Sequence, residues 1–467
     1  MTSQTTSQMS RAGAGSAGIA RAGRKNLVVG LGATGLSCVR YLRSHGEHVT
    51  VADSRAEPPE LAQLAGTAPE VRVHYPDLGT RLLDGMERVI LSPGIDRRTP
   101  LVAAALAQGI PVVGDVELFA RDIRETQPDA RVVGITGTNG KSTVTALVTA
   151  MAVEAGVHAK GGANLGPPVL DLLAAPRPAL YVLELSSYQL ESTDTLRLDA
   201  AALLNVTPDH MDRYATLEDY ASAKARIFNR AELAVVGAND TLCRALVPDG
   251  MPTRTFGLQE DADYHVVSRD GRSWLCAPER AMPVIARDEV RLQGGHNTLN
   301  SLAALAIAGA VGLPWDSSAQ ALRTFGGLPN RMQVVAVRHG VTYVNDSKGT
   351  NVGATLAALD GLSGGVVLIA GGDGKGQDFT PLANACRGKV HNAVLIGRDR
   401  DRIATVMDGI CNVSFATDMN AAVARASEVA QAGDTVLLSP ACASLDMYSS
   451  YVARGDAFIV AVREISQ

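Results

Sequence analysis

Lysine, serine and threonine follow a glycine at Gly140-Lys141-Ser142-Thr143, inside the stretch GITGTNGKSTVT over residues 134–145. Those residue types suit a nucleotide's phosphates. The usual phosphate loop, G-x-x-x-x-G-K-[ST], places glycine at position 135, where this chain has Ile135. The physical requirement is looser than the pattern. Backbone N–H groups across Gly137, Thr138, Asn139 and Gly140 must turn toward one point at a helix N-terminus, Lys141 must reach the terminal phosphates, and Ser142 or Thr143 must offer a hydroxyl to magnesium.

Glu184 follows Lys141 by about forty residues, at the end of an apolar run, where a carboxylate suits a magnesium ion bridging phosphates. His210, within DHMD over residues 209–212, suits a second metal or a phosphate as well as it suits a plain helix start. Lys224, within YASAKARIF over residues 220–228, reads locally as a surface lysine on a helix.

The elements that must position these groups read as three α/β units. In the first, residues 26–29 form a short apolar strand, Gly30-Leu31-Gly32-Ala33-Thr34-Gly35 a turn, and a helix runs through Tyr41; Asp53 ends a strand at residues 48–52. Strand, G-x-G-x-x-G, helix and an acid about 20 residues on match the dinucleotide fingerprint. A later strand at 88–91 ends in Ser92-Pro93-Gly94-Ile95. In the second unit, strands at 131–135, 180–185 and 201–206 end in polar clusters, where open α/β sheets bind ligands. An alanine-rich helix follows Gly294, and Gly312-Leu313-Pro314 stops it. The third unit alternates strands at 341–344, 366–370, 392–396 and 435–438 with helices, and its loops carry NDSKGTN (345–351), GGDGK (371–375) and SPACAS (439–444).

At 467 residues the chain exceeds one hydrophobic core. A net charge of −5 without a basic run interleaved with aromatics argues against nucleic acid. Six cysteines scattered without C-x-x-C spacing fit a reducing cytoplasm, and no run of about 18 to 20 apolar residues suits membrane insertion. Residues 1–24 lack an apolar signal core and read as a disordered leader. An NAD-dependent oxidoreductase would explain Gly30 to Asp53 but leave Lys141, Glu184, His210 and the third unit idle.

Ten motifs in order, GxGxxG, SPGI, GTNGKST, ELSSxQL, NVTxDHMDRY, GxHNxxN, LPNR, NDSKGTN, GGDGK and SPACASLD, resemble the Mur ligases from about residue 25 to the end. Within that family the likeness is nearest to the members that add glutamate. Members adding alanine, a diamino acid or a dipeptide are expected to carry a YAH-type segment where this chain has Asp346-Ser347-Lys348, and the diamino-acid members a DNPR motif absent here. The resemblance implies an α/β three-domain architecture: a Rossmann-like domain at 25–119, a central P-loop-type ATPase domain at 120–327 and a Rossmann-like domain at 328–467.

The same resemblance implies peptidoglycan precursor synthesis by a monomer, with ATP and magnesium as cofactors and UDP-N-acetylmuramoyl-L-alanine and D-glutamate as substrates. The first domain would bind UDP rather than NAD, with Ala33 and Thr34 near its phosphates, Asp53, Ser54 and Arg55 near uridine, and Gly94 on the path to the sugar. Lys141, Ser142 and Thr143 would take ATP's phosphates and Glu184 the first magnesium. Asn164 and His210 would serve the substrate end and second magnesium. Lys224 aligns with a lysine that the family carbamylates, so it would be a metal-binding carboxylate. Asn297 and Asn300 would hold the adenine side, Arg331 and Asp346 the phosphates and ribose, and Lys348, Thr350, Lys375, Ser444 and Leu445 the glutamate. Met332 and Tyr451 stand where phenylalanine is familiar. Residue types leave D- and L-glutamate open, because chirality is read by the placement of a few groups.

Overall fold

The computed structural model describes residues 23–76 and 78–465. Of the leader read at 1–24, residues 1–22 lie outside the described residues. The chain divides into two compact units. One contains the residues up to Pro128 with Gly166–Arg177 and Tyr188–Leu196; the other contains Asp129–Leu165, Pro178–Ser187 and the residues from Arg197 on.

The first unit is built on strands β1 (Lys25–Val29), β2 (His48–Ala52), β3 (Arg72–His74), β4 (Arg88–Leu91) and β5 (Val112–Val113). They are parallel, in the order β3-β2-β1-β4-β5. Leu27, Val28 and Val29 are fully buried, as expected of a parallel strand covered on both faces. Chain order reverses between β1 and β4, and there the turn after β1 meets the turn after β4. Gly30 has φ 97°, and the Ser92 hydroxyl donates to its carbonyl oxygen at 3.0 Å. A Cβ on Gly35 would lie 1.9 Å from that same oxygen, so the turn and the helix Ala33–Ser44 can close together only on glycine.

The second unit holds two large sheets. Strands β6 (Arg131–Thr136), β7 (Ala159–Ala163), β8 (Leu180–Glu184), β9 (Ala200–Leu203), β10 (Ala234–Gly237) and β11 (Thr253–Phe256) are parallel in the order β11-β10-β9-β6-β8-β7. A small antiparallel sheet, β12 (His265–Arg269), β13 (Arg272–Cys276) and β14 (Ile285–Ala286), follows. Strands β15 (Gln333–Arg338), β16 (Val341–Asn345), β17 (Val366–Gly371), β18 (Val390–Ile396), β19 (Asn412–Phe415) and β20 (Thr435–Leu438) form the other sheet, order β15-β16-β20-β17-β18-β19, with β15 alone antiparallel.

The core of the first large sheet packs the helices Lys141–Glu154 and Gly295–Ala310 together through Val144, Leu147, Val148 and Met151 against Leu302, Leu305 and Ile307. Ala303, Ala304, Ala306 and Ala308 are fully buried on the second helix, whose small side chains allow close approach. Removing one large member, as in Leu302→Ala, would cost about 2–5 kcal/mol. That core fixes the helix whose first turn carries Lys141 and Ser142. Among the described residues no helix is long and apolar enough to cross a membrane.

Candidate active site

Strand β6 ends at Thr136, and the chain turns through Gly137 (φ 151°) and Gly140 (φ 84°) into the helix that starts at Lys141. A Cβ on Gly140 would meet the Asn300 side-chain oxygen at 2.4 Å. Position 135 is interior to the strand, and Ile135 is fully buried there, so the usual loop's first glycine has no turn to make. Asn205, beyond the neighbouring β9, holds the loop from the side. Its Oδ1 accepts from the Asn139 N–H at 2.8 Å and its Nδ2 donates to the Asn139 carbonyl at 3.1 Å. Lys141 Nζ bends back to the carbonyl oxygens of Gly137 and Thr138, both at 2.8 Å. Burial lowers its pKa to about 8 against the attraction of Glu184.

Glu184, at the end of β8 beside β6, is buried. Asn164 Nδ2 donates to its Oε1 at 2.6 Å, while Oε2 has no hydrogen-bond partner. Burial works to raise this carboxyl, and the Lys141 charge, with the Ser142 hydroxyl and Asn164, brings it below its ordinary value. An ionised carboxylate with an unsatisfied buried oxygen is a place for a hard cation. The described residues contain no group of three His, Cys, Asp or Glu side chains able to hold a metal. The available donor set, Glu184 with the Ser142 hydroxyl, therefore suits a cation completed by phosphate oxygens and water, which is the habit of magnesium.

The local reading of Lys224 as a surface lysine is overturned. The residue is 1% exposed, its Nζ donates to the Gly137 carbonyl at 2.9 Å, and it lies 4.4 Å from the Tyr220 ring centre. The helix Leu217–Ala225 carries it inward, a consequence of packing that its own pattern does not announce. Burial, reinforced by the Lys141 charge, holds its pKa well below the usual lysine value. His210, in a left-handed backbone conformation (φ 58°), is pushed down to about 4 by burial and by Lys375, Lys141 and Lys224, with Asp209 opposing. It is neutral near pH 7.

A cavity of about 990 Å³ opens beside the loop, lined by Asn139, Gly140, Thr143, Asn297, Asn300, Arg331 and Asp346 among others. Arg331 donates from Nη2 to the Ser142 hydroxyl at 2.9 Å. Asp346 follows β16; burial raises its pKa to about 6, against hydrogen bonds from Ser439 and the Met332 N–H. Lys348 lies 3.8 Å from the Tyr451 ring centre, with burial and Arg331 lowering its pKa to about 8. The Thr350 N–H donates to the Lys348 carbonyl. Lys375 pairs with Asp209 at 2.5 Å. The segment 371–375 pairs with the one after β20 through Asp373 and Ala443, which sets buried Ser444 and 74% exposed Leu445 next in line. Sequence reasoning missed Asp209, Asn205 and Asn351. All three were visible in polar clusters at strand ends, with nothing in the chain to say which faced inward.

In the first unit, Ala33 and Thr34 open the helix after the glycine turn, and Gly94 sits in the turn after β4. Gly32 meets nothing within 4 Å of where a Cβ would stand, so packing does not demand glycine there, and the open space suits the close approach of a ligand to the backbone. Asp53 Oδ1 accepts from the Arg55 N–H and Nε, each at 2.9 Å, and Oδ2 from the Leu31 N–H and Arg55 Nη2, each at 2.6 Å. A carboxylate offers about four acceptor positions. All are filled, leaving none for the ribose hydroxyl that the dinucleotide reading requires, while Ser54 lies exposed between Asp53 and Arg55.

Three family models match in order: a MurD-like N-terminal domain at residues 24–114, the Mur ligase middle domain at 135–308 and the Mur ligase glutamate ligase domain at 330–442. The UDP-N-acetylmuramoylalanine--D-glutamate ligase of Methylococcus capsulatus is 48% identical, covering 94% of this chain and 95% of its own. That of Pseudomonas aeruginosa is 46% identical, covering 94% and 98%. Among solved structures, the MurC ligase of Thermotoga maritima superposes with TM-score 0.60 at 17% identity, covering 95% of this chain and all of its own. The MurF ligase of the same organism, solved with ADP, gives 0.60 at 17%, covering 90% and 96%. The phosphate loop, the orphaned Glu184 oxygen and the parallel sheets thus lie in a chain that matches relatives along nearly its whole length, and it belongs to the Mur ligase family.

Proposed function

We propose that this ligase uses ATP to join D-glutamate to UDP-N-acetylmuramoyl-L-alanine in peptidoglycan precursor synthesis. The observation that carries the reading is the convergence of Lys141, Ser142, Glu184, Arg331 and Lys348, which interact with one another beside the loop, together with relatives of that name that match over 94% of the chain. A carboxylate is a poor acyl donor until one oxygen becomes part of a phosphate leaving group. The terminal phosphoryl therefore passes from ATP to the alanyl carboxylate, giving an acyl phosphate and ADP. The neutral amine of D-glutamate attacks the acyl carbon, the C–O bond to phosphate breaks, and inorganic phosphate and a proton leave.

The Gly137–Gly140 backbone and Lys141 cradle the phosphates, and Arg331 neutralises charge on the transferred group. Asn297 and Asn300 line the adenine side, with Asp346 toward the ribose. Ser142, Thr143 and Glu184 would hold a first magnesium, with Asn164 orienting Glu184; magnesium, when bound, screens the crowded anions. His210 and Lys224 would serve a second. The depressed pKa of Lys224 supports carbamylation, because only a neutral amine adds CO2 to give an N-carboxylate and a proton. Ala33, Thr34, Ser54, Arg55 and Gly94 would contact the UDP substrate, with Asp53 serving the same site through the Arg55 side chain and Leu31 turn it holds, and Lys348, Thr350, Lys375, Ser444 and Leu445 would contact the glutamate. We read the chain as a cytoplasmic monomer with domains at 25–119, 120–327 and 328–467. Phosphate release from the purified chain should require ATP, UDP-N-acetylmuramoyl-L-alanine and D-glutamate together. Preferential release with L-glutamate or another amino acid would overturn the acceptor.

A further inference from the structure

Lys375 and Asn351 form a carboxylate-binding site that is filled by a carboxylate of the protein itself. Lys375 Nζ donates to Asp209 Oδ1 at 2.5 Å and Asn351 Nδ2 to Asp209 Oδ2 at 3.0 Å. The two Asp209 oxygens are thus gripped separately, the geometry a free carboxylate would receive. The grip is built. Asn351 caps the nine-residue helix Val352–Asp360 by accepting from the Ala354 N–H at 2.8 Å. Lys375 sits in a left-handed conformation (φ 51°), and its N–H donates to Asp373 at 3.0 Å. Gln377 bolts the two together, taking the Val352 N–H at 2.9 Å and donating to the Gly374 carbonyl at 2.9 Å. Its rigid turn and helix start face Asp209 with side chains 13% and 7% exposed at the ion pair.

We infer that Asp209 is a placeholder for the acceptor: it occupies the Lys375–Asn351 grip until a glutamate carboxylate displaces it. The inference rests on the reading of Lys375 as a glutamate ligand. A buried lysine left alone is costly, so an internal carboxylate keeps the grip charged and formed. The same pairing competes with the substrate, because only the fraction of molecules with Lys375 released can accept a carboxylate. Once displaced, Asp209 remains the carboxylate whose field reaches Lys141, His210 and Lys224. Acceptor arrival thereby changes the charge felt at the phosphate end. Asp209 is on this account a positioning residue, acting through Lys375.

The test is calorimetric titration of D-glutamate into the full chain with UDP-N-acetylmuramoyl-L-alanine and a non-hydrolysable ATP analogue. Asp209→Asn keeps the shape and removes the competing charge. D-glutamate should bind it about three- to tenfold more tightly than wild type. Asp209→Glu, which keeps the charge, should bind D-glutamate no more tightly than wild type. Asp209→Ser carries the same expectation as the Asn variant should that one not fold. Equal or weaker D-glutamate binding by the neutral variants overturns the inference, and weaker binding is what a purely structural role gives. Lys375→Met separates the two readings: if it binds D-glutamate as wild type does, the acceptor site lies elsewhere and the proposed ligand role of Lys375 fails first.

Discussion

Lys141 and Lys224 donate to one acceptor, the Gly137 carbonyl oxygen, at 2.8 and 2.9 Å. Two amines converging on one oxygen cannot both carry charge comfortably, and each pKa is held down, by burial first and, for Lys224, by the Lys141 charge next. Lys141→Ala is therefore expected to abolish turnover, by about 10²–10³-fold or more, because it removes a charge aimed at the transferring phosphoryl. The apo fold should survive, since a partly desolvated cation is lost and not a packed core. Wild-type activity with an unchanged melting temperature would refute the phosphate role.

Lys224→Ala should also lose most activity, although its side chain meets the phosphate loop only through the Gly137 carbonyl. If the working form is a carbamate, a small carboxylate fills the space left behind, and millimolar acetate should restore part of the rate. An ordinary surface lysine would change stability by within about 0.5 kcal/mol and leave turnover alone. Full activity of the variant without acetate would end the carbamate reading.

The phosphate loop, the strand before it and the helix after it were legible because each has its own local signal: glycines where φ turns positive, an apolar run, and a helical repeat. Lys224 was not, since the helix Leu217–Ala225 carries polar residues around much of its circumference and only packing decides which face enters. Strands β15 and β19 and the sheet β12-β13-β14 escaped for another reason. Sequences such as HVVSR and NVSF are short and mixed, and pairing rather than propensity makes them strands. The pairing of Lys375 with Asp209 spans 166 residues. Charge alone assigns neither partner. The segments Gly166–Arg177 and Tyr188–Leu196 fold with the first unit although their neighbours belong to the second, and no change of composition marks the crossings.

Asp53 supplies a test of the first unit. Burial works to raise its pKa, but the Arg55 side chain and the Leu31 N–H lower it from 3.8 to about 2. The unfolded chain therefore takes up the proton first in acid. The stabilisation is complete above the unfolded value and is lost as pH falls toward 2. Arg55 is half exposed, so solvent screening leaves about 1–2 kcal/mol. Asp53→Asn should cost that much in denaturant unfolding at neutral pH, with the difference from wild type shrinking below pH 4. A constant difference from pH 7 to pH 2 would mean that the carboxylate's charge is not what stabilises the turn.

The same saturated carboxylate predicts ligand choice. With no acceptor position left at Asp53, NAD should not raise the melting temperature, whereas UDP should, through selective binding to the native state. A shift of about 2 °C or more with NAD and none with UDP would reverse the assignment of this unit.

Acceptor choice turns on Lys348. Its pKa of about 8 means that charge is costly there, from burial and from Arg331. D-glutamate stabilises the charged form by pairing with it. D-glutamine cannot, and near neutral pH Lys348 can shed its proton for about 1.4 kcal/mol per pH unit below its pKa. That route caps the penalty for glutamine, so discrimination comes mainly from the pairing glutamate gains, about two to three decades in kcat/KM. Above pH 8 the lysine is neutral before any acceptor arrives, and glutamate loses the advantage. The need for a free amine is common to both acceptors and cancels in their ratio. The ratio of kcat/KM for D-glutamate over D-glutamine should therefore be high near pH 7 and fall as pH rises through 8. Lys348→Ala should start with the low ratio and show no such fall, while its ATP affinity changes little. A ratio flat from pH 7 to 9 in the wild type, or equal rates with both acceptors, would assign Lys348 to the phosphate and not to glutamate.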